Sequence, residues 1–185
     1  LIFSVLTQHP VKFILKYWKD DPTVGLKDGD IFMHNDARYG NIHNTDQSLV
    51  IPVFHEGEFI CFTGAIVHEG ENGATEPGGM PSAAESPFDE GLKMSPLLVG
   101  EHYEFRRDIM TFLQNSVREP KLQLEGMMAK LFAAMRMKAR VDEAIAEYGV
   151  DAVIATLRKT LTDTEAEVRR KLLSWPDGKV RTNVF

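Results

Sequence analysis

Cysteine occurs once in this chain, at position 61, so no internal disulfide can form and the sequence fits a reducing compartment. Cys61 lies inside the apolar run Phe59-Ile60-Cys61-Phe62, where core packing is its expected role. No apolar run approaches the roughly 20 residues needed to cross a bilayer. The opening Leu1 to Leu6 has neither a basic leader nor a cleavage site, which makes the cytoplasm the expected location. Lys and Arg form no long run and do not interleave with aromatics, and the net charge is -6, so nucleic acid is not an expected partner. No Gly-x-x-x-x-Gly-Lys-Ser/Thr string occurs, which excludes a P-loop and assigns any nucleotide chemistry to another chain.

Histidine, by contrast, is concentrated. Between Gly29 and Gly79 lie His34, His43, His55 and His68, out of 6 histidines in all, together with Asp36 and Asp46. Imidazole and carboxylate are the usual protein ligands of divalent first-row metals, and a site needs three or four of them converging with a position left open. His43-x-x-Asp46 offers two ligands from one tight segment, and His68 closes an apolar run that reads as a buried strand, so a rigid element would hold it. The competing reading is that each is an isolated polar residue, solvated or capping a turn. For His55, in His55-Glu56-Gly57-Glu58, that reading is preferred; alternation leaves His34 facing either way. Spacing alone leaves both readings of His43, Asp46 and His68 open, and names no metal.

The 185 residues suffice for a sizeable core, with the apolar and charged fractions of an ordinary globular protein. The expected class is α+β: a small, mostly antiparallel sheet carrying the candidate site, a long Gly/Pro loop, then a helical C-terminal half. Val11, Ile14, Leu15 and Trp18 after Pro10 predict a short helix to about Lys19, ended by Asp21-Pro22. Strands are expected at Ile31 to His34, Leu49 to Phe54 and Phe59 to Val67, the last two joined through Glu56-Gly57. Residues 69-92 show no period, and an unstructured stretch longer than about 12 to 15 residues inside a domain is ordinarily functional or disordered; a functional loop beside His68 is expected. Helices are expected at Glu104 to Asn115, from Pro120 to Gly149 with Leu124, Met128, Leu131, Met135, Val141, Ile145 and Tyr148 as the apolar stripe, at Asp151 to Leu161, and at Thr164 to Leu173. Met127, Met128, Met135 and Met137 are expected to pack in the core, while Arg106, Arg107 and Arg118 read as solvated. Residues 1-100 then form a β-rich metal-binding segment and 101-185 a helical one.

Three strings carry a family resemblance: GDIFMHND followed after Ala37 by RYGNIHNTDQ, then PVF at Pro52 to Phe54, then VHEGENGATEPGGMPSAAESPFDEGLKMSPL from Val67. They resemble the hydantoinase B / acetone carboxylase alpha-subunit family, over nearly the whole chain. Relatives that cleave cyclic amides show THLPD-type and AH-x-x-DIGG-type segments; Ile42-His43-Asn44-Thr45-Asp46 and Val67-His68-Glu69-Gly70-Glu71-Asn72-Gly73-Ala74 keep the ligand types and change the flanks, which favours the acetone carboxylase branch. Ala37 departs from the proline that many relatives carry there, without removing a ligand.

The resemblance implies an internal fragment of the catalytic alpha subunit of an ATP-dependent ketone carboxylase that makes acetoacetate from acetone and bicarbonate. It implies a manganese site at His43, Asp46 and His68, with Glu69 and Glu71 as orienting or proton-accepting residues behind it. It further implies beta and gamma partner subunits in a heterohexamer, with ATP bound by the beta subunit. The absence of Met before Leu1-Ile2-Phe3 agrees with a fragment. Two other functions stay open at this point: a metal-dependent cyclic amidase, and a non-catalytic segment whose histidines stabilise a subunit interface.

Overall fold

A computed structural model describes residues 7-183, so the opening Leu1 to Leu6 lies outside the described residues. The fold is α+β. Helix α1 (Gln8–Phe13) continues into a π-helical turn, Ile14–Trp18. Strands β1 (Ile31–His34), β2 (Asp46–His55), β3 (Glu58–His68), β4 (Leu97–Glu101) and β5 (Glu104–Phe105) form one antiparallel sheet in the order β3-β2-β1-β4-β5. Helices α2 (Arg107–Asn115), α3 (Pro120–Tyr148) and α4 (Val150–Leu173) follow.

The sheet is covered on both faces, which is why β2 is buried along most of its length and reads as a continuous run rather than an alternating one. Ile31, Met33, Leu49, Ile51 and Val99 pack against Leu113 of α2 and Met127, Leu131 and Ala134 of α3. The intervening residues Phe32 and Val50 pack with Ile14, Val11, Trp18, Val24, Leu26, Phe62 and Leu98 on the opposite face. The Trp18 indole N–H donates to the Pro96 carbonyl at 2.8 Å, so its polar edge is satisfied at the rim of this second cluster.

Several expectations require correction. β2 starts at Asp46, three residues before the apolar run, because Asp46, Gln47 and Ser48 hydrogen-bond in the ladder while their side chains enter a polar interior. β4 and β5 were not expected, and β5 with Arg106 occupies the start of the proposed 104-115 helix, which begins only at Arg107. The two helices expected over 151-173 are one: Thr160, Thr162 and Thr164 return their hydroxyls to the carbonyls four residues earlier, and Lys159 pairs with Asp163 across the supposed break.

In α3 the inward stripe is Gln123, Met127, Lys130, Leu131 and Ala134, with Met135 and Met137 exposed rather than in the core. Cys61 is half-buried on β3 and belongs to neither core cluster. Arg118 is half exposed and also holds a buried carboxylate, described below.

By contacts the chain divides into two compact units, one up to Arg140 and one from Val141. A boundary at 100/101 falls inside β4 and ahead of β5, while the first compact unit holds 101–140 together with the sheet. In the second unit Ile145 is buried, and Ala144, Tyr148, Ala152, Val153, Thr156 and Leu157 line a shallow apolar groove. No described helix is long and apolar enough to cross a membrane.

Candidate metal centre

The β2–β3 register decides whether a site exists. Glu56 and Gly57, with φ of 51° and 84°, form the two-residue turn that favours a tight hairpin. Next to it His55 pairs with Glu58 and Phe54 with Phe59. The ladder then shifts between Val53 and Phe54, leaving Ile60 as the extra residue, so that Val53 pairs with Cys61 and Asp46 with His68. Without that bulge Asp46 would face Val67, and His68 would move to the other side of the sheet.

His43 arrives from the preceding turn. Its backbone N–H donates to Asp46 Oδ2 at 3.0 Å, and the Asp46 N–H donates to the His43 carbonyl at 3.0 Å. The Asp46 carboxylate is fully buried and lies between both rings: Oδ1 is 2.7 Å from His68 Nδ1, and Oδ2 is 3.2 Å from His43 Nδ1. The imidazoles themselves are half exposed and meet edge to face at 5.7 Å. One nitrogen or oxygen from each of His43, Asp46 and His68 lies within 4.8 Å of the others. A buried carboxylate flanked by two accessible imidazoles is a donor set that fits a divalent cation and leaves its outer side open.

The other sequence candidates are placed elsewhere. Glu69 is buried, and its carboxylate pairs with the buried ammonium of Lys130 on α3. Gly126, one turn earlier, makes room, since a Cβ there would lie 2.6 Å from Glu69 Oε1. Burial pushes the Lys130 pKa down, and the Glu69 charge only partly offsets this. Burial would raise the Glu71 carboxyl, but the backbone N–H groups of Arg118 and Gly73 and the Arg118 guanidinium outweigh it and hold it below the usual range. Arg118 also donates to the Ala74 carbonyl at 2.6 Å, so Glu71 and Arg118 together fasten the start of the loop to the α2–α3 turn. His34 is buried on β1 with neither ring nitrogen hydrogen-bonded among the described residues, and burial pushes its pKa down to about 4. His55 is only half-buried, at the hairpin end.

Beneath the three candidate residues lies a polar network that no sequence pattern announces. Asn72 Oδ1 accepts from Asn35 at 3.3 Å and from Gln47 at 3.2 Å, while its amide nitrogen donates to the carbonyls of Glu90 and Leu92. Asn35 also donates to the Asn44 and Leu92 carbonyls and accepts from the Met94 N–H. Gln47 in turn exchanges hydrogen bonds with Gln123 of α3. Residues 69-92, which carry no helix or strand, are thereby tied at both ends to the segment that presents His43. Gly79 sits where a Cβ would overlap the Thr45 methyl, so the loop closes directly over the residue beside Asp46. A cleft of about 320 Å³ results, lined by Ile42, His43, Asn44, Gly79, Met80 and Pro81, with Ser82 and Glu90 also on its wall. Gln123 and Lys130 could have been found in the sequence as polar residues in phase with Met127, Leu131 and Ala134; Asn35 and Asn72 gave no such signal.

Known proteins share this arrangement of chain. The family model described as hydantoinase B/oxoprolinase matches residues 2–185. The acetophenone carboxylase delta subunit of Aromatoleum aromaticum (strain DSM 19018 / LMG 30748 / EbN1) is 38% identical over 185 residues, which is 100% of this chain and 26% of that protein. A nucleotide-free acetone carboxylase structure superposes with a TM-score of 0.77 at 29% identity, covering 83% of this chain and 20% of that one. The ATP-dependent caprolactamase of Pseudomonas jessenii superposes with a TM-score of 0.79 at 27% identity, covering 95% and 29%. The chain thus spans about a quarter of the length of these relatives. With the family model covering almost every residue, this chain belongs to the hydantoinase B/oxoprolinase family.

Proposed function

We propose that this chain carries the metal-binding, bond-forming site of an ATP-dependent ketone carboxylase, with Mn²⁺ as the cation and acetone, bicarbonate and acetoacetate as substrates and product. The convergence of His43, Asp46 and His68 beside a cleft carries this reading. The two imidazoles would hold the cation through ring nitrogens and Asp46 through a carboxylate oxygen, a mixed donor set that Mn²⁺ accepts. A cation so held supplies Lewis-acid polarisation of a substrate oxygen.

The protein residues account for the remaining requirements. Asp46 orients both rings, Glu69 and Glu71 brace the loop from behind, and Ile42, Met80 and Pro81 give the cleft apolar walls. A ketone α carbon is a poor nucleophile without enolisation, and bicarbonate is a poor electrophile. Both therefore need activation, which we assign to a nucleotide-binding beta subunit in a cytoplasmic heterohexamer completed by a gamma subunit. The similarity to an acetophenone carboxylase subunit supports ketone carboxylation and makes an aryl methyl ketone the second substrate to test.

The fold match to an ATP-dependent caprolactamase supports a second reading, in which the same ligands serve cyclic-amide hydrolysis. Full-length subunit assembled with its partners, supplied with ATP, decides between them. Bicarbonate-dependent consumption of acetone or acetophenone supports the carboxylase; ATP-dependent opening of caprolactam or a hydantoin, with no ketone turnover, supports the amidase.

A further inference from the structure

The order β3-β2-β1-β4-β5 leaves two strands at the margins of the sheet. One, β5, has 2 residues, too few to recruit another strand. The other, β3, has 11 and is bonded to β2 alone among the described residues. In an antiparallel ladder alternate residues aim their N–H and C=O groups away from the neighbouring strand. Among the described residues, no backbone hydrogen bond outside the β2 ladder reaches residues 62–68. Long edges are ordinarily guarded by Lys, Pro, a bulge or a covering loop. The stretch FTGAIVH at 62–68 has neither Lys nor Pro, and the bulge at Ile60 lies before it. Its side chains are also incompletely covered: Phe62, Ala65 and Ile66 are half-buried and Val67 is exposed, whereas Gln47, Leu49 and Ile51 of the adjoining β2 are buried.

We propose that residues 62–68 are the docking edge for a sixth strand, supplied by a part of the same subunit outside residues 1–185. This chain covers 26% of the acetophenone carboxylase delta subunit and 29% of the caprolactamase chain, so most of each of those polypeptides lies outside the matched region. A segment of the same polypeptide meets the edge at high effective concentration and covers it from the time of folding. A separate partner would leave an unguarded edge open to aggregation until assembly. The occupant is an extended segment whose N–H and C=O groups complete the ladder. Lying beside Phe62 and Ile66 on one face and Ala65 and Val67 on the other, it carries apolar side chains on both. Residues directly opposite on neighbouring strands have Cβ atoms about 4.5 to 5.5 Å apart. The residue opposite His68 therefore stands against that half-exposed imidazole, and the added strand closes the candidate centre on the side away from Asp46. The inference holds for the carboxylase and amidase readings alike.

The test uses the full-length subunit in its complex, assembled from a mixture of isotopically light and heavy copies. Val67→p-benzoylphenylalanine supplies a photo-crosslinker on the edge, and hydrogen exchange of the native complex, resolved to single amides by mass spectrometry, needs no variant. We expect Val67→p-benzoylphenylalanine to cross-link to one peptide outside residues 1–185, light to light and heavy to heavy. We also expect successive amides over 62–68 to be protected alike, with loss of the alternation between fast and slow exchange that an open edge gives. Cross-links between light and heavy copies, or to a different subunit, would overturn the proposal. Alternating exchange over 62–68 in the native complex, or cross-links confined to residues 1–185, would overturn it too.

Discussion

His34 shows what burial does to one imidazole. On sequence it faced either way; in the fold it is buried on the face shared with Phe32, and its pKa falls to about 4 from the ordinary 6.5. Burial disfavours the charged ring, and the Asp36 charge offsets only part of that. The unfolded chain therefore takes up a proton first as pH falls. Stability tied to His34 is intact above pH 6.5, declines below it, and is lost by about pH 4, a total of about 3 kcal/mol. Urea unfolding of native chain and His34→Leu at pH 7 and pH 4.5 checks this: the stability difference between the two should shift by about 2 to 3 kcal/mol in the variant's favour at the lower pH. Lys130 and Glu69 make the complementary case. Removing one partner of a buried pair strands the other, so Lys130→Met should cost about 3 to 5 kcal/mol. Lys130→Met with Glu69→Leu should recover most of that in the same unfolding measurement.

Among the elements, the β2–β3 hairpin carries the site, and its sequence was only half readable. The apolar runs from Leu49 and Phe59 and the Glu56-Gly57 turn were legible because period and turn chemistry are local. The bulge at Ile60 was not, since nothing in a run of Phe, Ile and Cys marks which residue is left unpaired. Yet it is this residue that brings His68 opposite Asp46. Inserting one residue between Thr63 and Gly64, beyond the bulge, should place Val67 opposite Asp46, turn His68 away and take manganese content from one equivalent to none in the full-length subunit, as elemental analysis would show. β4 and β5 escaped notice because Leu97 to Phe105 is too short and too glycine-broken to show a period. In α3 the expected stripe drifted by one residue because Gln123 and Lys130 occupy inward positions that hydrophobic periodicity scores as outward.

At the scale of the molecule, a sheet buried on both faces supplies a rigid floor, and the 69-92 loop, pinned by Asn72, Glu71 and Gly79, supplies one wall of the cleft. The candidate trio His43, Asp46 and His68 stood out by chemistry and resemblance, whereas the polar network joining them is a product of tertiary contact between segments up to 76 positions apart. The division of labour proposed above makes ATP foreign to this chain: calorimetry on the full-length subunit without its partners should show no stoichiometric ATP binding, and tight binding would contradict that division. The central claim is that His43, Asp46 and His68 hold a divalent cation. Asp46→Asn tests it most directly, because the amide keeps the size of the buried group while removing the charge between the two imidazoles. Elemental analysis of the purified full-length complex should give one manganese per native subunit and less than about a tenth of that in Asp46→Asn, by the roughly 10-fold or greater loss expected when metal-site chemistry is removed. Equal manganese in both proteins would contradict the claim.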